Sequence, residues 1–117
     1  MITFDIFHNE HPVLDVAAGE TIFVEGTRGD CMYAVLAGDI DIVRHGDVLQ
    51  TIGPGGVFGE MALLDGQPRS ASAVARTPAR VAAIAEQRFT QLVALNPYFA
   101  LDMMRLLSER VRSNLSA

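Results

Sequence analysis

The chain has 117 residues, half of them apolar and 20% charged, which suits one globular domain with a single core and leaves no room for two. No apolar run approaches the ~18 residues of a membrane span, and the one cysteine, Cys31, excludes an internal disulfide and offers no metal cluster. The net charge is −5; the later half is mildly basic, but it has no stripe dense enough to follow a nucleic-acid backbone, so no direct DNA binding is expected.

The opening residues Met1–Glu10 lack the basic start and apolar core of a signal peptide. A cytoplasmic location is therefore expected, with a short helix or turn over residues 1–11. From Pro12 onward, turn signals recur every 8–12 residues: Ala18-Gly19, Arg28-Gly29-Asp30, Gly38-Asp39, His45-Gly46-Asp47, Pro54-Gly55, Gly66-Gln67-Pro68 and Thr77-Pro78. Between them the pattern predicts strands over Thr21–Glu25, Cys31–Ala37, Asp39–Arg44, Val48–Ile52, Ser70–Arg76 and Ala79–Ile84. Ile40 and Ile42 alternate with Asp39 and Asp41, the period of a half-buried strand. Short strands with turns at this spacing predict a β-sandwich, jelly roll or barrel. His45-Gly46-Asp47 reads as a tight hairpin.

The stretch from Gly53 to Ala73 breaks that rhythm. Four glycines (53, 55, 56 and 59) lead into a short apolar run, Met61–Leu64, long enough for about one and a half helical turns. Asp65-Gly66-Gln67-Pro68 ends the run and delivers Arg69. Glycine lets a backbone approach a ligand closely, and a helix start leaves N–H groups unpaired with a partial positive charge. Arg69 adds a forked cation suited to phosphate. Glu60 lies inside this cradle, where a ligand with both phosphate and hydroxyls would give it a partner. Taken alone, Glu60 fits a first-turn acid and Arg69 a solvated surface residue. The two together, nine residues apart across a glycine loop, a helix and a turn, point to a ligand.

Beyond the last strand the apolar period changes from two to that of a helix. Phe89, Leu92, Val93 and Leu95 suit one face of a helix starting near Glu86. Asn96-Pro97 then reads as an N-cap followed by the first helical residue, opening a helix that runs to about Leu115. That helix is apolar around much of its circumference, so one face can pack on its own domain while the rest calls for a second partner.

Phe58-Gly59-Glu60-Met61-Ala62-Leu63, followed by Pro68-Arg69-Ser70-Ala71, closely resembles the phosphate-binding cassette of cyclic nucleotide-binding domains. That family includes the catabolite activator protein, regulatory subunits of cyclic-nucleotide-dependent kinases and cyclic-nucleotide-gated channels. Gly26-x-x-Gly29-Asp30-x-x-Tyr33-x-Val35-x-x-Gly38 resembles the family's early barrel hairpin, and the likeness covers roughly residues 12–111. The resemblance implies a mainly β fold with flanking helices, an eight-stranded jelly roll over about 12–85 plus C-terminal helices over about 86–115, forming one domain over 1–117. It also implies a non-catalytic regulatory module that binds a cyclic nucleotide and repositions those helices. Glu60 would take the ribose 2′-hydroxyl and Arg69 the exocyclic phosphate oxygens. Backbone N–H groups around Gly59, Glu60, Met61 and Ala62, with those of Ser70 and Ala71, would complete the cradle. We favour cyclic AMP over cyclic GMP, although the hydroxyl at Ser70 occurs with either ligand.

Other chemistry finds little support. His8, His11 and His45 do not form the His-x-His pair on a barrel strand that a cupin-type metal site needs, and no general base stands near the cassette. No cofactor, metal or enzymatic activity is expected. Tyr33, Val35, Val43 and Val57 read as core, and Cys31 as a small core or rim hydrophobe. The alternative to ligand binding is an interaction module with a non-binding pocket, working through a homodimer or another protein partner at the 97–115 helix. The chain ends at Ala117 with no room for an output domain, which fits a stand-alone sensor or a piece excised from a longer protein.

Overall fold

The computed structural model describes residues 12–116; the helix or turn expected over 1–11, with His8 and His11, lies outside them. Eight strands come first in two groups around a short helix: β1 (Val13–Val16), β2 (Thr21–Phe23), β3 (Cys31–Ala37), β4 (Ile40–Arg44), β5 (Asp47–Ile52), β6 (Val57–Phe58), α1 (Glu60–Asp65), β7 (Ser72–Ala75) and β8 (Ala79–Ala85). Two longer helices, α2 (Glu86–Leu95) and α3 (Pro97–Ser116), follow. The chain divides into two compact units, one reaching to Glu86 and the other starting at Gln87.

The first unit is a sandwich of two four-stranded antiparallel sheets, ordered β1-β8-β3-β6 and β2-β7-β4-β5. Its core draws on both inner faces. Val35, Phe58, Ala79 and Val81 come from one sheet, and Ile40, Ile52, Ala73 and Ala75 from the other. Alternation explains the register: along β7, Ala73 and Ala75 are buried while Ser72 and Val74 are half-buried, as period-two geometry requires. β8 is paired on both sides, with β1 and β3, and its run of Val81, Ala82 and Ile84 is correspondingly buried. This is the jelly-roll sandwich that the family resemblance implies, and one of the three folds that the strand spacing predicts.

The boundaries differ where tertiary pairing outweighs local pattern. β2 stops at Phe23, because the register shifts there and the Glu25 N–H donates to the Ser72 hydroxyl at 2.9 Å instead of a strand partner. The strand expected from Ser70 begins at Ser72, leaving Arg69–Ala71 to the cassette. Two strands, β1 and β6, have no counterpart in the sequence reading. β6 is two residues long and exists through its pairing with β3, Tyr33 opposite Phe58 and Ala34 opposite Val57. The β4–β5 hairpin closes through His45 and Gly46, both with positive φ (52° and 82°), the backbone sign of a type I′ turn.

In the second unit, Asn96 caps α3. The Tyr98 N–H donates to Asn96 Oδ1 at 3.1 Å, with Pro97 as the first helical residue, where its missing N–H costs nothing. Phe89 and Phe99 meet edge-to-face at 5.4 Å between ring centroids, joining α2 to α3. Phe99, Met103 and Leu106 form the buried stripe of α3, whereas Tyr98, Leu101, Met104 and Val111 are exposed. No described helix is long and apolar enough to cross a membrane.

Candidate ligand-binding site

The glycine loop is held by β3. The Gly55 N–H donates to the Val35 carbonyl and the Val35 N–H to the Gly56 carbonyl, each at 2.9 Å. From there β6 leads to Gly59, whose φ of 78° falls in the left-handed region that glycine adopts without penalty. Gly59 caps α1, with Glu60 in its first turn. α1 packs on β3 and ends at Gly66, whose N–H donates to the Ala62 carbonyl at 3.1 Å.

The predicted site residues gather around this loop with unequal exposure. Glu60 is 1% exposed and Arg69 5% exposed, so neither matches the solvated role that each residue type suggests by itself. Ala62 and Ala71 are also buried, Met61 and Ser70 exposed, and Gly59 intermediate. A buried cation is costly unless its charge and its donors are satisfied, which makes the surroundings of Arg69 the informative part.

Arg69 is held along its whole length. Its backbone is pinned by the turn after β2: the Gly26 N–H donates to the Arg69 carbonyl and the Arg69 N–H to the Thr27 carbonyl, both at 2.8 Å. Its side chain then reaches inward, Nη1 donating to the Gly59 carbonyl and Nη2 to the Cys31 carbonyl, each at 2.7 Å. The guanidinium carbon lies 4.1 Å from the centroid of Phe23 and 5.9 Å from that of Tyr33, a cation–π arrangement. Nε is buried and has no hydrogen-bond partner. The two carbonyls are dipoles, not charges, and an orphaned guanidinium donor costs roughly 1–3 kcal/mol or more. An anion reaching this group would gain a cation that needs no further ordering.

Behind Arg69, Phe23, Tyr33 and Phe58 form an aromatic cluster. Tyr33 stacks on Phe58 at 5.2 Å, and Phe23 lies 5.9 Å from each. Burial, followed by a hydrogen bond with the Cys31 side chain, pushes the Tyr33 hydroxyl up to about 12. The folded state therefore holds its proton while an unfolded tyrosine, at the ordinary value of 10.0, loses one. That contribution to stability is complete below pH 10 and is lost as pH rises toward 12. In a Tyr98→Phe variant, Tyr33 is the sole tyrosine, and its absorbance at the phenolate band is expected to titrate near pH 12 in the folded protein and near pH 10 in urea. A folded-state midpoint near 10 would contradict the half-buried placement of this hydroxyl.

Neither Phe23 nor the Cys31 carbonyl figures among the expected site residues. The Cys31 contact joins positions 38 apart in the chain, and no local pattern announces it. Among the described residues, no cluster of histidine, cysteine or carboxylate side chains could hold a metal. On the rim, the Arg44 Nε donates to the Ser70 carbonyl at 2.8 Å, tying β4 to the end of the cassette.

Residues 13–96 match the sequence profile of the cyclic nucleotide-binding domain. A CRP-like cAMP-activated global transcriptional regulator of Mycobacterium tuberculosis is 30% identical over 104 residues, covering 85% of this chain and 46% of that protein. The chain thus spans about half the length of this curated relative. The crystal structure of Thermus thermophilus catabolite activator protein superposes with a TM-score of 0.81 at 32% identity, over 89% of this chain and 51% of that one. A structure reported for a cyclic-GMP-dependent signalling pathway that regulates bacterial phytopathogenesis gives 0.78 at 32% identity, over 87% of this chain and 85% of the other.

Proposed function

The chain belongs to the cyclic nucleotide-binding domain family, and from that premise we propose that it is a non-catalytic sensor that binds cyclic AMP in preference to cyclic GMP and repositions its C-terminal helices in response. The observation that carries the binding reading is the buried Arg69 guanidinium, fixed by two carbonyls with Nε unpartnered. Its forked donors suit the exocyclic oxygens of a cyclic phosphate. Glu60 takes the ribose 2′-hydroxyl, and the N–H groups of Gly59–Ala62, Ser70 and Ala71 complete the cradle.

The preference for cyclic AMP is supported by the name of the Mycobacterium tuberculosis relative and opposed by the cyclic-GMP context of one structural neighbour. Calorimetric titration with each nucleotide decides it. Saturable binding is expected for both, tighter for cyclic AMP. Absence of heat with either, from folded protein free of co-purified nucleotide, would remove the sensor reading.

Repositioning needs differential affinity, since a ligand shifts a conformational equilibrium only by what it contacts better in one state. Hydrogen exchange of the 97–116 helix is expected to change between free and cyclic AMP-saturated protein. Identical exchange would confine the response to the sandwich. A second reading, an interaction module with a non-binding pocket, rests on the exposed Leu101, Met104 and Val111 of α3, whose spacing places them along one face. It predicts a stable oligomer, or a complex with another protein, in the absence of any nucleotide affinity.

A further inference from the structure

We propose that Gly29 is a positioning residue for the ligand cation: the space left by its missing side chain is where the Arg69 guanidinium lies. This rests on the reading of Arg69 as a phosphate ligand. A Cβ built on Gly29 falls within 3.0 Å of Arg69 Nε, Cζ and Cδ, closer than packed atoms come. Backbone freedom is not the reason for this glycine. Gly29 is absent from the positive-φ residues, so alanine fits its backbone, whereas neighbouring Gly26 has φ of 84° with nothing near its Cβ position. The two glycines of one turn thus serve different ends, one conformational and one spatial.

What yields to a Cβ at position 29 is the far end of a long side chain, not backbone. The sandwich survives, and the guanidinium moves. It then leaves the Gly59 and Cys31 carbonyls and its place over the Phe23 ring. Gly59 flanks the same guanidinium on another side: a Cβ there would stand 2.8 Å from Nη1. The turn between β2 and β3 therefore sets where the cassette's cation points, through the pins at Gly26 and Thr27 and the gap at Gly29.

The test is a double-mutant cycle on cyclic AMP affinity and thermal stability with Gly29→Ala, Arg69→Ala and the pair. Gly29→Ala is expected to weaken binding at least ~10-fold, and the pair to lie within ~3-fold of Arg69→Ala alone, since a displaced cation cannot be lost twice. Any stability lost by Gly29→Ala should vanish in the Arg69→Ala background, where the guanidinium is gone. A structural role unrelated to Arg69 would instead add its cost to that of Arg69→Ala. Gly29→Ala within ~3-fold of the parent, losses that multiply, or equal destabilisation in both backgrounds would each overturn the proposal. If Gly29→Ala alone does not fold, a folded double variant supports it and an unfolded one overturns it. Failure of the parent protein to bind nucleotide is a separate result: it removes the ligand reading, and the stability cycle still tests the contact between Gly29 and Arg69.

Discussion

Replacing Arg69 by alanine is expected to weaken cyclic AMP binding by at least ~30-fold while the β-sandwich stays folded. Removing one partner of a desolvated charge pair costs about 2–5 kcal/mol, and 2 kcal/mol already corresponds to ~30-fold. The upper part of that range applies where the cation is held before the ligand arrives. Here Arg69 is 5% exposed and fixed by Gly59, Cys31 and Phe23, so little ordering entropy opposes capture of the phosphate. Lysine at the same position keeps the charge but neither the fork nor the flat face toward Phe23, and should recover only part of the loss. Calorimetry on variants whose circular dichroism matches the parent checks both. A change below ~3-fold for Arg69→Ala would mean that the phosphate, if bound at all, is held elsewhere.

The largest effect on stability is expected at Phe58. Its side chain is 1% exposed and belongs to the sandwich core. It stacks on Tyr33 at 5.2 Å with 16° between the rings and lies 5.9 Å from Phe23. Truncation of a buried phenylalanine to alanine costs about 3–5 kcal/mol, combining lost transfer energy with the cavity left behind. For a domain of this size each kcal/mol lowers Tm by about 4–8 °C. A fall of at least ~12 °C is therefore expected for Phe58→Ala, against a much smaller one for Phe58→Leu, which keeps most of the volume. Thermal denaturation measures both. A loss under ~1 kcal/mol for Phe58→Ala would show that this ring is not part of the cooperative core. Because Phe23 lies between Phe58 and Arg69, the alanine variant should also loosen nucleotide binding, and a variant that is destabilised yet binds normally would separate the core from the seat.

Several features could be read from the residues alone because they depend on neighbours in the chain. Alternation of Ile40 and Ile42 with aspartates marks β4, since period two is local geometry. Asn96-Pro97 marks the start of α3, because capping involves residues two apart. The cassette from Phe58 to Ala71 was recognisable for the same reason: its loop, short helix and turn are contiguous, and the family match over residues 13–96 follows. Turn spacing marked six strands of a sandwich, jelly roll or barrel, and the family resemblance supplied the eight-stranded jelly roll; β1 and β6 escaped the pattern. β1 has the uniformly exposed or half-buried pattern of an edge strand, and β6 is too short to show a period.

What tertiary structure alone decided is the environment of the charged residues. By type, Arg69 is a surface residue; its neighbours in sequence mark it as a candidate phosphate ligand but do not say that it is buried. It is buried because the turn of residues 24–30, some forty positions earlier, supplies its backbone partners and the gap at Gly29, and because β3 supplies the Cys31 carbonyl. Gly29 itself reads as an ordinary turn glycine; its lack of a side chain acquires a purpose only when Arg69 arrives from the cassette. Residue type and local spacing determined most of the elements and the motif they carry. The burial of a charge and the room made for it are set by contacts between segments distant in the chain, and those exist only once the two sheets have closed.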